Sequence, residues 1–469
     1  MRTNEIQNGS LKELWSLSYP LMISFLSLFT MVFVDRIFLS FYSTDALNAA
    51  TSAGTLSWSI ILGFSTLAGL SEVFVAQYNG AKQYHRLGEP IWQMIWFSLM
   101  TFLFFIPMGI LGPKLLYGPL SPTNYEHQFF RYTMFVSPFP VLLSALIAFF
   151  VGQGKTSVIK WLGLLGNITN ILFDWLLIFG IKGFLPAMGV KGASIATFIG
   201  IGVQILILLI LFLKKENRLH FGAFKWKFNL ELFLGCIKIG LPPAIFAFIE
   251  LFGWSLFYTM MTMVSHTHIL VSSICQSILL LFVFFGLGLE KGSAVVAGNL
   301  LGANKIENIS KLFQSGLKLL SVFSIFIFVF FCIFPDFLVD LFLNNSGLES
   351  SISLAHFSKE YLDSLRLHIK QGLWFIAIYM ILEDARWFIN GILTAAGDTV
   401  FLMIAGACCV WLFLLLPTYI FVVKAKGSIQ LAFFIWVVYS FISMVVFYLR
   451  FKLGKWRERA LLTQDASHD

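Results

Sequence analysis

The chain reads as long apolar runs separated by short polar breaks. Runs of about 20 apolar residues, the length that carries a helix across a hydrocarbon core of roughly 30 Å, recur from near Trp15 to near Arg450. Set against the glycine, proline and charge breaks, they predict twelve helices, at 14–41, 47–79, 91–112, 128–150, 157–180, 190–213, 232–263, 267–300, 315–343, 365–395, 398–423 and 428–452. No stretch is left over for a soluble domain, so the expected fold class is an all-α polytopic membrane protein. The start, "MRTNEIQNGSLKELW", lacks the charged opening, short apolar core and small-residue cleavage site of a signal peptide. The first helix is therefore expected to stay in the mature protein.

The polar breaks repeat. Pro20 of "LSYPLM" and Pro242 of "IGLPPA" each open an apolar helix, and 60 residues later each half reaches a glycine, Gly80 in "AQYNGAK" and Gly302 in "NLLGANK". Both pairs are 222 apart. After each half's fourth helix come Gly154 in "VGQGKTS" and Gly397 in "TAAGDTV", 243 apart, and "VKGASIAT" echoes "AKGSIQLA" with Gly192 against Gly427. A repeat in one orientation needs an even number of helices per half, which six plus six satisfies. The expected organisation is an N-lobe at 1–213, a linker at 214–231, a C-lobe at 232–453 and a tail at 454–469.

Charge then orients the bundle. With the first loop outward, the inner side carries 19 Lys and Arg and the outer side nine, in keeping with the positive-inside rule. Both termini and the linker "KKENRLHFGAFKWKF" are thus expected in the cytoplasm of a multi-pass cell-membrane protein. The net charge of +8 follows from this topology and calls for no nucleic-acid partner. The tail "RFKLGKWRER" reads as a membrane-surface anchor. All five cysteines lie in apolar segments, which argues for packing and against a disulfide framework or zinc site.

Against 58% hydrophobic residues, acids inside the helices stand out. An intramembrane ionisable group is costly, normally faces the bundle interior and marks a functional site by default. Asp35, in "MVFVDRIFLSFY", lies 15 residues after Pro20, about 22 Å along its helix; Arg36 points about 100° away and is expected to snorkel. The repeat partner of Asp35 is Phe257, so bundle symmetry does not require the acid. Asn170 and Asp174, four residues apart, share one face of the fifth helix and form a polar pocket with Asp35, with Thr197 on the sixth helix as a further lining residue. In the second half Glu250 lies eight residues, about 12 Å, after Pro242, and its repeat partner is Leu28. In "YMILEDARWFIN" Glu383 pairs with Arg386 at a spacing of three, which leaves Asp384 free for a pocket. The plainer alternatives are structural ion pairs for the acids and an interhelical hydrogen bond for Asn170.

Other features carry less. His266 and His268 in "VSHTHIL" lack a third close ligand, so no transition-metal site is expected. Glu72, Glu290 and Lys291 read as gating or packing pairs. Serine-containing strings such as "SFYSTD" show no base with an orienting acid, so no catalytic residues are assigned and the chain is not expected to be an enzyme. No cofactor is expected.

The strings "FVDRIFLS", "VAQYNGAK", "NITNILFDWLLIFG", "MGVKGASIAT" and "GNLLGANK", in this order and spacing, resemble the multidrug and toxic compound extrusion (MATE) family, in its NorM-like branch. The resemblance covers nearly the whole chain. It implies a twelve-helix, two-lobed, V-shaped fold and secondary active export of small organic cations by antiport with sodium ions or protons through alternating access. It also implies an N-lobe cation-coupling site at Asp35, Asn170 and Asp174 and a C-lobe cation site at Glu250 and Asp384. A monomer embedded in the lipid bilayer is expected. The alternatives are a flippase for lipid-linked sugars of the same superfamily, which calls for extra helices and a basic cavity, and a membrane acyltransferase, which calls for a His-acid or metal motif.

Overall fold

The computed structural model describes residues 8–119, 121, 124–181, 183–343, 359–454 and 456–457. Among them eleven continuous helical segments have the length and apolarity to cross a membrane: α1 (Leu11–Tyr42), α2 (Asp45–Gly80), α3 (Tyr84–Tyr117), α4 (Tyr125–Gly152), α5 (Thr156–Phe179), α6 (Gly189–Phe212), α7 (Leu230–Val264), α9 (Asn308–Phe331), α10 (Glu360–Ala395), α11 (Thr399–Lys424) and α12 (Ile429–Leu453). A twelfth, α8, is a pair, His266–Leu280 and Phe284–Gly302, bent by 48°. Side chains that favour helix starts hold several ends: Ser10 accepts from Glu13 N, Asn124 from His127 N, Asn229 from Leu232 N, Ser265 from His268 N and Ser428 from Leu431 N.

Five boundaries differ from the hydropathy reading by five residues or more; α3 ends at Tyr117 for an expected 112 and α10 begins at Glu360 for an expected 365. α3 begins at Tyr84 and α9 at Asn308, each about two turns before the expected 91 and 315, because polar first turns dilute the apolar signal without breaking the helix. The expected ninth helix to 343 is interrupted at Pro335, which opens a separate helix Pro335–Leu343, since proline disfavours helical geometry in the residue before it. The eighth, expected to be continuous, bends. The break falls at residues 281–283, and the second piece carries glycines whose β-carbons would collide with α1, Gly288 with Met22 and Gly292 with Ser18, so this piece lies close against α1. Lys182 of the outer basic count, residues 344–358 and most of the tail, 458–469, lie outside the described residues. Of the tail that is described, Arg450 binds Asp398 at 2.6 and 3.0 Å and Trp456 is fully buried on Phe451. Arg450 and Trp456 thus pack inward, while Lys452, Leu453 and Arg457 stay exposed.

Within the first half α1 packs on α5 and α5 on α6; within the second, α7 packs on α11 and α10 on α12. The halves meet reciprocally, α1 against α8 and α7 against α2. Between them, residues 215–220 form a short helix, and the following segment is strapped to α3 by Trp92 donating to Ala223 O (3.0 Å), Trp96 to Trp226 O (2.9 Å), Gln93 to Lys227 O (3.1 Å) and a Lys225–Glu89 ion pair (2.6 Å).

At the end of the bundle that carries this linker, the halves close on each other through parts related by the repeat. Gln77 Nε2 donates across the seam to Ala395 O (2.7 Å), and Asn299 Nδ2 donates the other way to Gly152 O (3.1 Å). Gln77 and Asn299 are 222 apart, and Gly152 and Ala395 are 243 apart, the two offsets of the sequence repeat. A β-carbon at Gly80 would run into the backbone of Asn299, and one at Gly302 into the backbone of Gln77. Glycine is needed at both places because backbone meets backbone there. Asn79 Nδ2 donates to Asn299 Oδ1 at 2.6 Å, and Lys291 pairs with Glu72 at 2.5 Å. Three of the charged residues read as gating or packing pairs thus fall into one contact across the halves, Glu72 with Lys291, and one within the second half, Glu290 with Asn390 at 2.5 Å.

Candidate functional site

The first pocket is built by a register between α1 and α5. A β-carbon at Gly163 would meet Ser24 Oγ; one turn on, Asn167 Nδ2 donates to Ser27 Oγ at 2.7 Å; further along, Asp174 lies beside Asp35. Every one of these pairs is 139 or 140 residues apart, as two helices packed side by side in the same direction require. Gly200 performs the same service for α6, lying against the backbone of Gly166 and the side chain of Asn170. Small residues let helices approach, and polar ones then bond across the gap.

The result brings Asp35, Asn170, Asp174 and Thr197 together. Asp174 is fully buried and Asn170 nearly so. Asn170 donates Nδ2 to Thr197 Oγ1 (3.4 Å), and Thr197 donates to Ala193 O (3.0 Å). Both oxygens of Asp174, one of Asp35 and the carbonyl oxygen of Asn170 are buried without a well-formed hydrogen bond, although the Asn170 side chain lies near enough to Asp174 to interact with it. Arg36 is exposed on the other side of α1. The pocket therefore presents two neighbouring carboxylates, an amide oxygen and a hydroxyl. Two adjacent carboxylates in a dry site cannot both stay ionised without a proton or a cation between them, and hard cations are held by oxygen sets of this kind.

The second cluster is arranged differently from the expectation. Among the described residues the hydrogen-bond partner of Glu250 is Arg386, and no hydrogen bond joins it to Asp384. Glu250 Oε1 accepts from Arg386 at 3.2 Å, and Arg386, 1% exposed, also holds Glu383 through Nε at 3.0 Å and through its terminal nitrogen. Ser440 donates to the other Glu383 oxygen at 3.3 Å, and the guanidinium lies 5.5 Å from the Phe447 ring. Asp384 is one residue, about 100°, around α10, which turns it toward α8, where only a glycine, Gly286, leaves it room. It is buried, and its Oδ2 has no donor. The Glu383–Arg386 pairing follows from the spacing of three. That the same arginine would also take Glu250 is a long-range fact that spacing along one helix does not contain.

Sequence reasoning passed over Ser24, Ser27, Asn167 and Gly163. Their signal was present: small and polar residues at intervals of three and four along one face of α5, and two serines at a spacing of three on α1. His268 is occupied by Ser265 Oγ (2.7 Å) and Gly427 O (3.2 Å) on its two ring nitrogens, a capping role. Cys236, Cys275 and Cys409 are buried, whereas Cys408 is exposed on α11, so packing does not account for every cysteine.

The two halves found in the sequence recur in comparison with known proteins. The MatE family profile matches residues 20–176 and again 243–420, so that its two matches begin at Pro20 and Pro243. A probable multidrug resistance protein NorM of Bacillus cereus is 23% identical over 362 residues, 75% of this chain and 78% of its own. Another of that name from Thermotoga maritima is 22% identical over 471 residues, 97% of this chain and 95% of its own. A solved outward-facing conformation of a multidrug resistance MATE family transporter superposes with a TM-score of 0.83 over 96% of this chain and 97% of its own, at 16% identity, which speaks to the fold. The chain belongs to the MatE family, multi-pass membrane transporters and not enzymes.

Proposed function

We propose that this protein exports small organic cations from the cell by antiport with a monovalent cation, and that the coupling cation is held by Asp35, Asp174 and Asn170, with Thr197 lining the pocket and orienting Asn170. The observation that carries the reading is the pair of buried carboxylates with oxygens that lack a well-formed hydrogen bond, which needs a positive charge that the protein itself does not supply. The carboxylate and amide oxygens of Asp35, Asp174 and Asn170 favour sodium; a proton shared by the two acids is the other outcome the experiment below distinguishes. The arrangement works as an antiporter if the coupling cation and the organic cation prefer different conformations, since each biases the equilibrium only by its difference in affinity for the two. The 1–213 and 232–453 lobes then move about the 214–231 linker. The linker and both termini lie in the cytoplasm, so that the seam at Gln77 and Asn299 closes the cytoplasmic side, and the transporter works as a monomer in the cell membrane.

The test is release of a fluorescent organic cation from liposomes carrying the purified protein, with sodium and pH gradients imposed separately. A sodium gradient is expected to drive it in the wild type and to fail in Asp35→Asn at equal membrane abundance. Full ion-driven export by Asp35→Asn would remove this pocket from the mechanism.

A further inference from the structure

We propose that Arg386 is a resident cation of the second half: its guanidinium fills the place between Glu250 and Glu383 that a transported ion would take, and so confines ion coupling to the first half. The inference rests on the reading of Asp35 and Asp174 given above and adds what makes the two lobes unequal.

The geometry is that of an occupied cation site. Glu383 is served on both oxygens, by Arg386 on one and Ser440 on the other. Glu250 receives a bond at 3.2 Å from the same terminal guanidinium nitrogen that serves Glu383, and keeps 24% of its side chain accessible. Arg386 is itself 1% exposed and lies near the face of Phe447, so its charge is fixed in place and not free to swing away. Arginine is the side chain suited to this task, because it stays charged when buried and its planar fork reaches two carboxylates at once. A second cation arriving at Glu250 would sit beside this guanidinium, and in a low-dielectric interior the two like charges repel strongly. Asp384 offers no alternative seat with Glu250, since it faces Gly286 on the other side of α10.

The first half shows why an arginine here is a choice and not a packing need. At the offset of 243, the positions of Glu383 and Arg386 correspond to Pro140 and Leu143, and at 222 Glu250 corresponds to Leu28. The same fold therefore packs without any of the three. Conversely, among the described residues no arginine or lysine forms an ion pair with Asp35 or Asp174 as Arg386 does with Glu250 and Glu383; the nearest basic residue in sequence, Arg36, is exposed.

The test adds a cation site by removing the resident one. In purified full-length protein, Arg386→Gln is expected to gain a stabilisation by sodium, or by acid if protons fill the site, on top of the wild-type dependence, read as a rise in melting temperature across a sodium titration and a pH series. Arg386→Lys, which keeps the charge, is expected to gain nothing. In the Asp35→Asn background, where the first-half dependence is lost, Arg386→Gln should restore a cation dependence that Glu250→Gln then removes. A folded Arg386→Gln protein with no added sodium or pH dependence overturns the proposal. Should Arg386→Gln not fold, Glu250→Gln alone decides: unaltered cation binding by the otherwise wild-type protein supports a resident cation, and loss of a bound ion overturns it. Failure of the first-half reading is separately visible, as coupling that survives Asp35→Asn.

Discussion

The linker-side seam and the acid pockets obey opposite rules. At the seam the two halves mirror each other residue for residue: Gln77 reaches into the second half as Asn299 reaches into the first, and Gly80 and Gly302 each bring backbone onto backbone. At the pockets the mirror fails. Asp35, Asp174 and Thr197 correspond, at the offsets of their own helices, to Phe257, Pro417 and Ala432, and Glu250 to Leu28. Phe257 is fully buried against Trp436, with ring centroids 5.1 Å apart. The lesson is physical. A duplicated bundle needs the same close contact on both sides of its axis to shut one end, so those parts are retained in pairs. A buried charge is costly wherever it stands, so it is kept only in the half where it has work to do.

The largest effect should come from breaking an unpaired part. Asp174→Asn keeps size and polarity but removes one of the two facing charges, and ion-driven efflux in liposomes is expected to fall to background with membrane abundance unchanged. Substitution at the mirror position, Pro417, is expected to change stability and not ion dependence. Should Asp174→Asn transport normally while Pro417→Ala loses its ion dependence, the division between seam and pockets is drawn in the wrong place.

Next in size come the paired glycines. Gly80→Ala and Gly302→Ala each push a methyl group into backbone of the opposite half, which a rotamer change cannot relieve. Overpacking of this kind costs about 1–3 kcal/mol, and the symmetry of the seam predicts nearly equal losses. Both variants should also expose the linker end of the cleft, read by the labelling rate of a cysteine placed there. A large loss in one and none in the other would show that the mirror extends to sequence but not to energetics.

How far the sequence reaches is set by the same division. Spans α1, α2, α5, α6, α11 and α12 are legible within a few residues because a membrane core imposes one length on each. The repeat was legible because its glycines are irreplaceable where backbones touch. The first pocket was legible too, since Asn170 and Asp174 share a helix face and Asp35 is alone in an apolar run. The second was not. Glu250 and Arg386 lie 136 residues apart, and a spacing rule within α10 identifies Glu383 as a partner of Arg386 without revealing that its terminal nitrogen also reaches Glu250. The bend in α8 was hidden because it falls at residues 281–283, Leu-Phe-Val, where no glycine, proline or charge marks the apolar run.

Smaller still are the hydrogen bonds across the seam, and here the mirror is expected to be imperfect. Gln77→Ala removes one bond, to Ala395 O, worth about 1 kcal/mol net. Asn299→Ala removes a bond to Gly152 O and also the acceptor for Asn79, whose repeat partner, Leu301, makes no such bond. Its effect on the closed-seam population is expected to be about twice as large in free energy, again by cysteine labelling. Equal effects would mean that the Asn79 contact contributes nothing.

The smallest expected change is at Thr197, and it bears most directly on how the coupling cation is held. Valine has nearly the same shape, so Thr197→Val leaves the α5–α6 contact intact but removes the hydroxyl that meets Asn170 Nδ2 at 3.4 Å. A bond of that length is weak, and its loss is expected to cost about 0.5–1 kcal/mol, a rise of a few-fold in the ion concentration that half-saturates efflux, with the maximal rate unchanged. If the hydroxyl oxygen is a direct cation ligand, the same variant should instead lose apparent ion affinity by ten-fold or more, because a hard cation would be left an oxygen short. The two outcomes separate a residue that orients Asn170 from one that touches the ion. Measuring the half-saturating concentration for Asn170→Ala alongside it fixes the scale: an orienting Thr197 must fall well short of Asn170→Ala, whereas a ligand must approach it.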